Sequence, residues 1–345
     1  MRSLKFWVRS DFIKFLKTQP YTRTLNWEQI EEKHSLDEEA VQNPIGIVPA
    51  STYFSIFEET ATSLGSDALY FDLMYEAPVG PFSTSDYLFV CAPDLRTSMQ
   101  SKVDYAPARS NAVDYIFEEN DNYGIFEWRF VEGLGEWRQS MFGRAAITVR
   151  QIEIVLGDEK PPISIEIAAE PPQARSAFLS KYEGKIAFNT LRNRILVPRH
   201  MLSRPNARYE ENLFHIIQKS AAQDLETFRD FDSDISRVTT QIVESLKAGN
   251  CTLAEVAKAL GMSQRTLQRV LENEGTSFRN LVDKVRKSAA RRYIINSHLP
   301  FKEIAYLLGF SELSTFSRAV KSWYGVSPRG LRDKRKSELG NRLKT

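Results

Sequence analysis

The sequence predicts an α+β N-terminal domain followed by an all-α C-terminal domain, in which a long helix joins two helix-turn-helix motifs. Three observations lead to this fold class: a change of hydrophobic periodicity near residue 237, a change of net charge at the same place, and a repeat in the second half. The length of 345 residues also exceeds that of one typical domain. We place the domains at 1–230 and 231–345, with a linker in the acidic stretch from Asp224 to Arg237.

Alternating apolar and charged residues indicate the strands of the first domain. Residues 126–130, Phe-Glu-Trp-Arg-Phe, predict a half-buried strand, and residues 113–117 predict a second strand joined to it by a turn. Residues 163–167 alternate in the same way, whereas residues 135–155 and 173–183 have the pattern of helices. The mixture favours α+β over a run of regular βαβ units.

From residue 237 onward the periodicity is helical throughout. Apolar residues within 253–260 follow the i, i+3, i+4, i+7 spacing of one helix face. Thr252 stands before them and Glu255 follows three residues later, which is the capping-box pattern of a helix N-terminus. Apolar residues within 278–289 keep the helical spacing over a longer stretch, so a longer helix is expected there.

The formal net charge of +2 hides an uneven distribution. Residues 237–345 contain 21 Lys and Arg but only 9 Asp and Glu, a net charge of +12, which leaves −10 for residues 1–236. A basic domain attached to an acidic one is typical of proteins that bind a polyanion. Because a basic face can also be merely solvated, this observation gains its weight from the repeat in the same region.

The second half repeats itself at an offset of 48 residues. Residues 253–263, LAEVAKALGMS, align with residues 301–311, FKEIAYLLGFS, and the second copy has one extra residue after its serine. In each copy a small residue lets two helices approach, a glycine supplies the turn between them, and a serine is predicted to cap the next helix. These residues are Ala257, Gly261 and Ser263 in the first copy, and Ala305, Gly309 and Ser311 in the second.

The helix after each serine is the one that a helix-turn-helix motif lays in the major groove of DNA. Arginine can bind guanine with two hydrogen bonds, glutamine can pair with adenine, glutamate can accept from cytosine, and hydroxyls suit bases or phosphates. The predicted DNA-contacting residues are Gln264, Arg265, Thr266, Gln268 and Arg269 in the first copy, and Glu312, Ser314, Thr315 and Arg318 in the second. Ser263, Arg279 and Lys321 are predicted to contact phosphates.

Two other functions stay open at this point. One is a non-specific architectural DNA binder. A purely structural helical repeat is disfavoured, because a solenoid needs at least three units and the chain has two. The other is an enzyme carried to DNA by its tail, for which Cys91 is the candidate nucleophile in an apolar, strand-like run without a histidine nearby.

Nothing else in the sequence predicts a catalytic residue, a cofactor or a metal. The glycine patterns of hydrolases, of P-loops and of dinucleotide sites are missing, and neither the two cysteines nor the four histidines have metal-ligand spacing. The N-terminal segment lacks the apolar core of a signal peptide, and no run of 18 apolar residues occurs. We therefore expect a cytoplasmic protein that does not enter a membrane.

Residues 236–337 resemble the DNA-binding domain of AraC-type (AraC/XylS) transcription regulators. The stretches TLAEVAKALGMSQRTLQRVLENEGTSFRNLVDKVRKSAARRYI and GFSELSTFSRAVKSWYGVSP carry this resemblance. It implies seven helices, two recognition helices in successive major grooves of promoter DNA, and RNA polymerase as a partner. The chain departs from the family at Val320, where phenylalanine is usual, and at Leu313, where a polar residue or proline is commoner. Leu313 is for that reason not a predicted base contact.

The N-terminal half resembles the effector domain of AraC regulators similar to the ornithine regulator. Residues 177–205, AFLSKYEGKIAFNTLRNRILVPRHMLSRP, and the downstream part of residues 44–132 carry this resemblance. It implies that the half senses a small-molecule effector or forms a homodimer, and it names no ligand. Aromatic residues are frequent between Tyr53 and Phe89, where we expect most to pack in the core and some to line an apolar pocket.

Overall fold

The computed structural model describes residues 6–43, 45–78, 84–131, 137–229, 234–297 and 299–333. The chain divides into two compact units, Met1–Phe130 with Glu136–Ser233 and Asp234–Thr345 with Val131–Gly135. Along the described part of the chain, no helix combines the length and the apolar character that crossing a membrane requires.

The first unit mixes helices and strands, as the sequence predicts. Its strands are β1 Trp7–Arg9, β2 Ile47–Pro49, β3 Val113–Glu119, β4 Tyr123–Phe130, β5 Ser164–Ile167, β6 Ile186–Phe188 and β7 Asn193–Pro198. Its helices are α1 Asp11–Thr18, α2 Trp27–His34, α3 Glu38–Gln42, α4 Ala50–Ser63, α5 Leu69–Glu76, α6 Thr84–Cys91, α7 Leu95–Tyr105, α8 Arg138–Leu156, α9 Ala177–Lys181 and α10 Glu211–Arg229.

Five of the strands form one sheet in the order β3-β4-β7-β5-β6, in which only the β5–β6 pair is parallel. Strands β3 and β4 form the predicted hairpin, with Val113 opposite Phe130 and Phe117 opposite Phe126. Strand β5 confirms the prediction for residues 163–167. Strands β1 and β2 pair separately.

Helix α8 lies at the centre of the first unit. Most of its side chains are buried, among them Phe142, Val149 and Ile152, and it packs against α4, α5 and α6 and against strands of the sheet. Many of its residues are apolar or small, as burial on several sides requires. The buried polar side chains of Gln139, Gln151 and Glu153 have hydrogen-bond partners within the unit.

Two sequence predictions for the first unit are wrong in part. The stretch 173–183 is helical only in α9, because the backbone N–H groups of Gln173 and Ala174 donate to Asp67 instead of entering a helix. The predicted linker begins too early, since α10 continues to Arg229 and buries Phe228 against Trp7 at a ring distance of 5.3 Å. Residues 230–233 of that linker lie outside the described residues.

The second unit is helical, as predicted. Its helices are α11 Asp234–Lys247, α12 Leu253–Ala259, α13 Gln264–Asn273, α14 Phe278–Asn296, α15 Phe301–Leu307 and α16 Leu313–Tyr324. Residues 328–333 are also helical, which accounts for the seven helices that the resemblance implies. Helix α14 is the predicted long helix between the two motifs.

Helix α14 contributes to two separate hydrophobic cores. Its first half, with Leu281 and Val285, packs with α11, α12 and α13. Its second half, with Ala290 and Ile294, packs with α15 and α16. Val320, the departure from the family pattern, is fully buried in the second of these cores. Each helix-turn-helix motif therefore has its own core, and one helix belongs to both.

Candidate nucleic-acid interface

Helix α13 is the second helix of the first motif, and its two faces differ sharply. Leu267 and Leu271 are buried on the inner face. Ser263 caps its N-terminus, as predicted, by accepting a hydrogen bond from the backbone N–H of Thr266 at 3.1 Å. The cap satisfies one of the backbone groups that a helix start leaves unpaired and fixes where the outer face begins.

The outer face of α13 carries four polar side chains with no partners among the described residues. Gln264, Arg265, Gln268 and Arg269 are exposed, and Thr266 is half-buried. None of the four exposed side chains forms a hydrogen bond or an ion pair with another described residue. Because the donors and acceptors of this face are free, they are available to groups outside the chain.

Helix α16 of the second motif begins differently from its counterpart. Its cap position is Glu312, and the prediction that Ser311 caps this helix is wrong. The extra residue after Ser311 moves the helix start by one position, and the Glu312 side chain makes no capping bond to the backbone. The carboxylate of Glu312 instead accepts from the hydroxyl of Ser314 at 2.9 Å.

The remaining outer residues of α16 also interact with one another. Arg318 lies near Thr315, and its Nη2 donates to the Thr315 hydroxyl at 3.5 Å. Both residues are exposed, like Glu312 and Ser314, while Phe316 and Val320 fill the inner face. The second motif thus brings the predicted residues to one exposed face, but pairs them within the helix.

The residues predicted to contact phosphates are all exposed. Ser263 lies at the N-terminus of α13, Arg279 is the second residue of α14, and Lys321 lies in the last turn of α16. The N-terminus of α14 is capped by Ser277, which accepts from the backbone N–H of Asn280 at 3.2 Å. Two of the three residues therefore lie at helix starts, where backbone dipoles favour anions.

The turns of the two motifs confirm the predicted role of their glycines. Gly261 has φ +67° and Gly309 has φ +69°, a backbone conformation that costs glycine little and other residues more. Each turn then leads directly to the second helix of its motif.

Sequence reasoning missed the contacts that hold the second motif to the long helix. Arg286 of α14 donates from Nε to the carbonyl oxygen of Leu308 at 2.8 Å and from Nη2 to that of Gly309 at 2.9 Å. Its guanidinium carbon also lies 4.6 Å from the ring centre of Phe310. Burial lowers the pKa of Arg286. The only sequence signal was a charged residue on an otherwise apolar stripe of a predicted helix.

Two further contacts extend this connection. Arg332 donates to the carbonyl oxygens of Ile294 at 3.0 Å and Leu299 at 2.8 Å, where α14 ends. The indole N–H of Trp323 in α16 donates to Asp283 of α14 at 3.1 Å. The orientation of α16 relative to α14 is therefore set by polar contacts in addition to the apolar core.

Comparison with known proteins agrees with this architecture. Residues 256–334 match the model of a helix-turn-helix domain. Residues 27–206, slightly more than half of the chain, match the model described as the arabinose-binding domain of AraC transcription regulators, N-terminal. The chain belongs to the AraC family of transcription regulators.

Several curated AraC-type relatives align with this chain. NphR, a transcriptional activator of Rhodococcus sp, is 36% identical over 31% of this chain and 32% of its own length. An uncharacterised HTH-type transcriptional regulator of Mycobacterium tuberculosis is 33% identical over 48% of each chain. The ornithine utilization regulator of Pseudomonas aeruginosa is 23% identical over 86% of this chain and 87% of its own. The alignment thus spans between a third and a half of the first two relatives.

The family assignment also answers the question of catalysis. The matching families and relatives are transcription regulators, which confirms the expectation that this AraC-type chain is not an enzyme. Cys91 lies at the end of helix α6 and not in a strand, and burial raises the pKa of its thiol. A thiol that resists ionisation is a poor nucleophile. Among the described residues, no group of three or more His, Cys, Asp and Glu side chains could hold a metal ion.

Proposed function

We propose that this AraC-type chain regulates transcription by binding a specific sequence in double-stranded promoter DNA through α13 and α16. The observation that carries the proposal is the outer face of α13, where four polar side chains have no partner among the described residues. In this proposal residues 231–345 bind DNA, and residues 1–230 sense a small-molecule effector and provide contacts between protomers. A homodimer is part of the proposal, although two recognition helices in one chain do not require it.

The chemistry of each side chain determines which DNA group we propose that it contacts. Arg265 and Arg269 bind guanine, Gln264 and Gln268 pair with adenine, and Thr266 contacts a base or a phosphate. In α16 the corresponding contacts come from Glu312, Ser314, Thr315 and Arg318. Ser263, Arg279 and Lys321 hold phosphates and thereby fix the position of the protein on the duplex.

We also propose that the first motif distinguishes bases more strongly than the second. Before Arg318 can bind guanine, it gives up its contact with Thr315, and Ser314 gives up its contact with Glu312. In α13 only Thr266 has such a contact, with the hydroxyl of Ser263 at 2.9 Å, whereas Gln264, Arg265, Gln268 and Arg269 have none among the described residues. A carboxylate at Glu312 also repels phosphates in the neighbourhood of the groove.

RNA polymerase is the second proposed partner. The proposed location of the protein is the cytoplasm, where promoter DNA lies. We propose that the chain activates transcription and does not repress it, because its relative NphR is named a transcriptional activator. The proposal for this chain rests on that similarity alone.

A footprint on the promoter region next to the protein's own gene tests the proposed function. We expect a discrete protected site that covers two successive major grooves, about 20 base pairs. Protection without a discrete site would instead support an architectural binder. Absence of protection at low salt, from a chain that is folded by circular dichroism, would refute DNA binding altogether.

A further inference from the structure

A partly open cavity with a volume of about 100 Å³ lies in the first unit. Helices α1, α4, α5, α7 and α8 and strand β3 contribute to its wall. Phe12, Phe57 and Met74 form an apolar part of that wall, and the rings of Phe12 and Phe57 stack at 4.9 Å. The aromatic stretch identified in the sequence therefore contributes Tyr53 and Phe57 to a cavity, whereas Phe54, Tyr70, Phe71 and Phe89 are buried elsewhere in the unit.

The charges on the cavity wall do not balance. Among the described residues that line it, Lys102, Arg109 and Arg144 are cationic and Asp86 is the acidic one. Arg109 is neutralised by Asp11, which accepts from both of its terminal nitrogens at 2.6 and 2.8 Å. Lys102 lies 3.7 Å from Asp86. Arg144 is left without a carboxylate partner among the described residues.

Arg144 is also incompletely hydrogen-bonded. Its Nε is buried, and no described residue accepts from it. Its Nη1 donates to the hydroxyl of Tyr115, and its guanidinium carbon lies 5.7 Å from the ring centres of Tyr115 and Phe130. Arg144 as a whole is half-buried, and two aromatic faces and one neutral hydroxyl stabilise its guanidinium only partly, because a charge removed from water needs an opposite charge or several good acceptors.

Two hydroxyls complete the polar part of the wall. Tyr53 and Ser140 line the cavity, and neither hydroxyl bonds to another described residue. Burial raises the pKa of Tyr53 far above neutrality, despite the nearby positive charges of Arg109 and Arg144. Tyr53 therefore keeps its proton at neutral pH and can donate it to an acceptor in the cavity.

We propose that this cavity binds a small organic monocarboxylate with a compact apolar body, and that the carboxylate accepts hydrogen bonds from Arg144. The inference rests on the proposed effector-sensing role of the first unit and specifies its ligand class. The cavity is smaller than the roughly 150 Å³ that hold one benzene molecule in an engineered protein core, so the ligand has at most about six non-hydrogen atoms. The apolar body lies against Phe12, Phe57 and Met74, and the Tyr53 hydroxyl donates to the second carboxylate oxygen.

The test compares isobutyrate with isobutyramide, which has the same shape but no charge. Each compound is titrated into the full chain up to about 20 mM, a range suited to the weak binding of a six-atom ligand, with sodium chloride at equal ionic strength as the salt control. We expect isobutyrate to raise the thermal midpoint of unfolding saturably by about 2 °C or more, since it binds only the folded state. Isobutyramide and chloride should leave the midpoint within about 0.5 °C.

Variants then connect the effect to Arg144. Arg144→Met should abolish the rise caused by isobutyrate, and Arg144→Lys should retain part of it. Arg150→Met is the matched control, because Arg150 lies on the same helix but does not line the cavity, and it should respond like the wild type. If Arg144→Met does not fold, the comparison of carboxylate and amide on the wild-type chain decides the matter.

An equal effect of isobutyramide, an equal effect of chloride, or no effect of isobutyrate would overturn the proposed ligand class. None of these results affects the footprinting experiment, which is performed without ligand and tests the proposed regulatory function separately. A chain that binds its promoter but ignores isobutyrate therefore contradicts only the inference about the cavity.

Discussion

Gly309 lies against Leu246, so closely that a methyl group added at Gly309 would be 3.2 Å from Leu246 Cδ2. The same methyl group would be 3.2 Å from Nη2 of Arg286. Gly261, the equivalent residue of the first motif, has nothing within 4 Å of that position. Two glycines with nearly the same φ therefore differ in how closely the rest of the unit surrounds them.

This difference predicts unequal costs for the same substitution. Gly261→Ala should lower the free energy of unfolding by about 1 kcal/mol, which is the cost of the left-handed conformation for a residue with a Cβ. Gly309→Ala should cost about 2–3 kcal/mol, because crowding against Leu246 and Arg286 is added to that strain. Urea denaturation of both variants measures the difference, and equal costs would show that Leu246 and Arg286 move aside freely.

Arg286→Met is expected to destabilise the second unit by about 2 kcal/mol. The variant keeps the aliphatic length of the side chain but removes two hydrogen bonds from a charged donor, leaving the carbonyls of Leu308 and Gly309 without them. Lys284→Met, an exposed change on the same helix, is the matched control and should cost less than about 0.5 kcal/mol. A loss as small as that of the control would mean that solvent replaces the lost bonds.

Arg269→Ala and Arg318→Ala should each weaken binding to the native promoter more than binding to random DNA. A good two-bonded contact to guanine contributes roughly 1–3 kcal/mol of discrimination, and the larger loss is expected for Arg269, which has no internal partner. Gel-shift titration on both DNA types at fixed salt measures it. Lys321→Ala provides the contrast, since loss of a phosphate contact weakens both DNA types alike. Equal weakening by Arg269→Ala would contradict base recognition at this position.

The first unit should lose stability in acid as the Asp67 carboxylate becomes protonated. Burial favours the neutral form of this carboxyl, but the backbone N–H groups of Ala174 and Gln173 and the guanidinium of Arg138 outweigh it and lower the pKa. A carboxyl whose pKa is lower in the folded state stabilises the fold above its unfolded pKa, near 3.9, and loses that contribution as the pH falls further.

Asp67→Asn tests this dependence by thermal unfolding between about pH 6 and pH 3. The wild type should be more stable than the variant at pH 6, and the difference between their thermal midpoints should decrease as the pH falls. Glu159→Gln, a change in the turn after α8, serves as the control and should leave the pH profile unaltered. A difference in thermal midpoint that stays constant with pH would show that the charge of Asp67 does not stabilise the fold.

The sequence predicts well what depends on neighbouring residues. Strand β4 follows from the alternation between Phe126 and Phe130, and helix α14 from the apolar spacing that begins at Phe278. The positive φ of Gly261 follows from the turn between two helical patterns. In each case the deciding interactions lie within one element or its own turn.

Predictions fail where distant residues decide the structure. The acidic composition after Asp224 conceals that Phe228 packs against Trp7, which lies at the other end of the first unit's sequence. The cap of α16 shifts from Ser311 to Glu312 because the second copy has one extra residue after its serine. The start of α16 is determined by how the helix packs, which the sequence alone does not show. Likewise, the cavity wall combines residues from Val8 to Ile147, and no local pattern reveals that Arg144 lacks a counter-ion.

Because helix α14 belongs to both cores of the second unit, its length has a consequence for the promoter. Its 19 residues rise about 28 Å, close to the roughly 34 Å of one turn of B-DNA. If α13 and α16 bind two half-sites as proposed, a rigid connection of that length ties these half-sites to one distance and one side of the duplex. An insertion of about five base pairs between them would turn the second half-site away, and a further five would restore its direction but not its distance. In the proposed complex, the spacing of the operator would therefore be set by a helix that need not touch a single base.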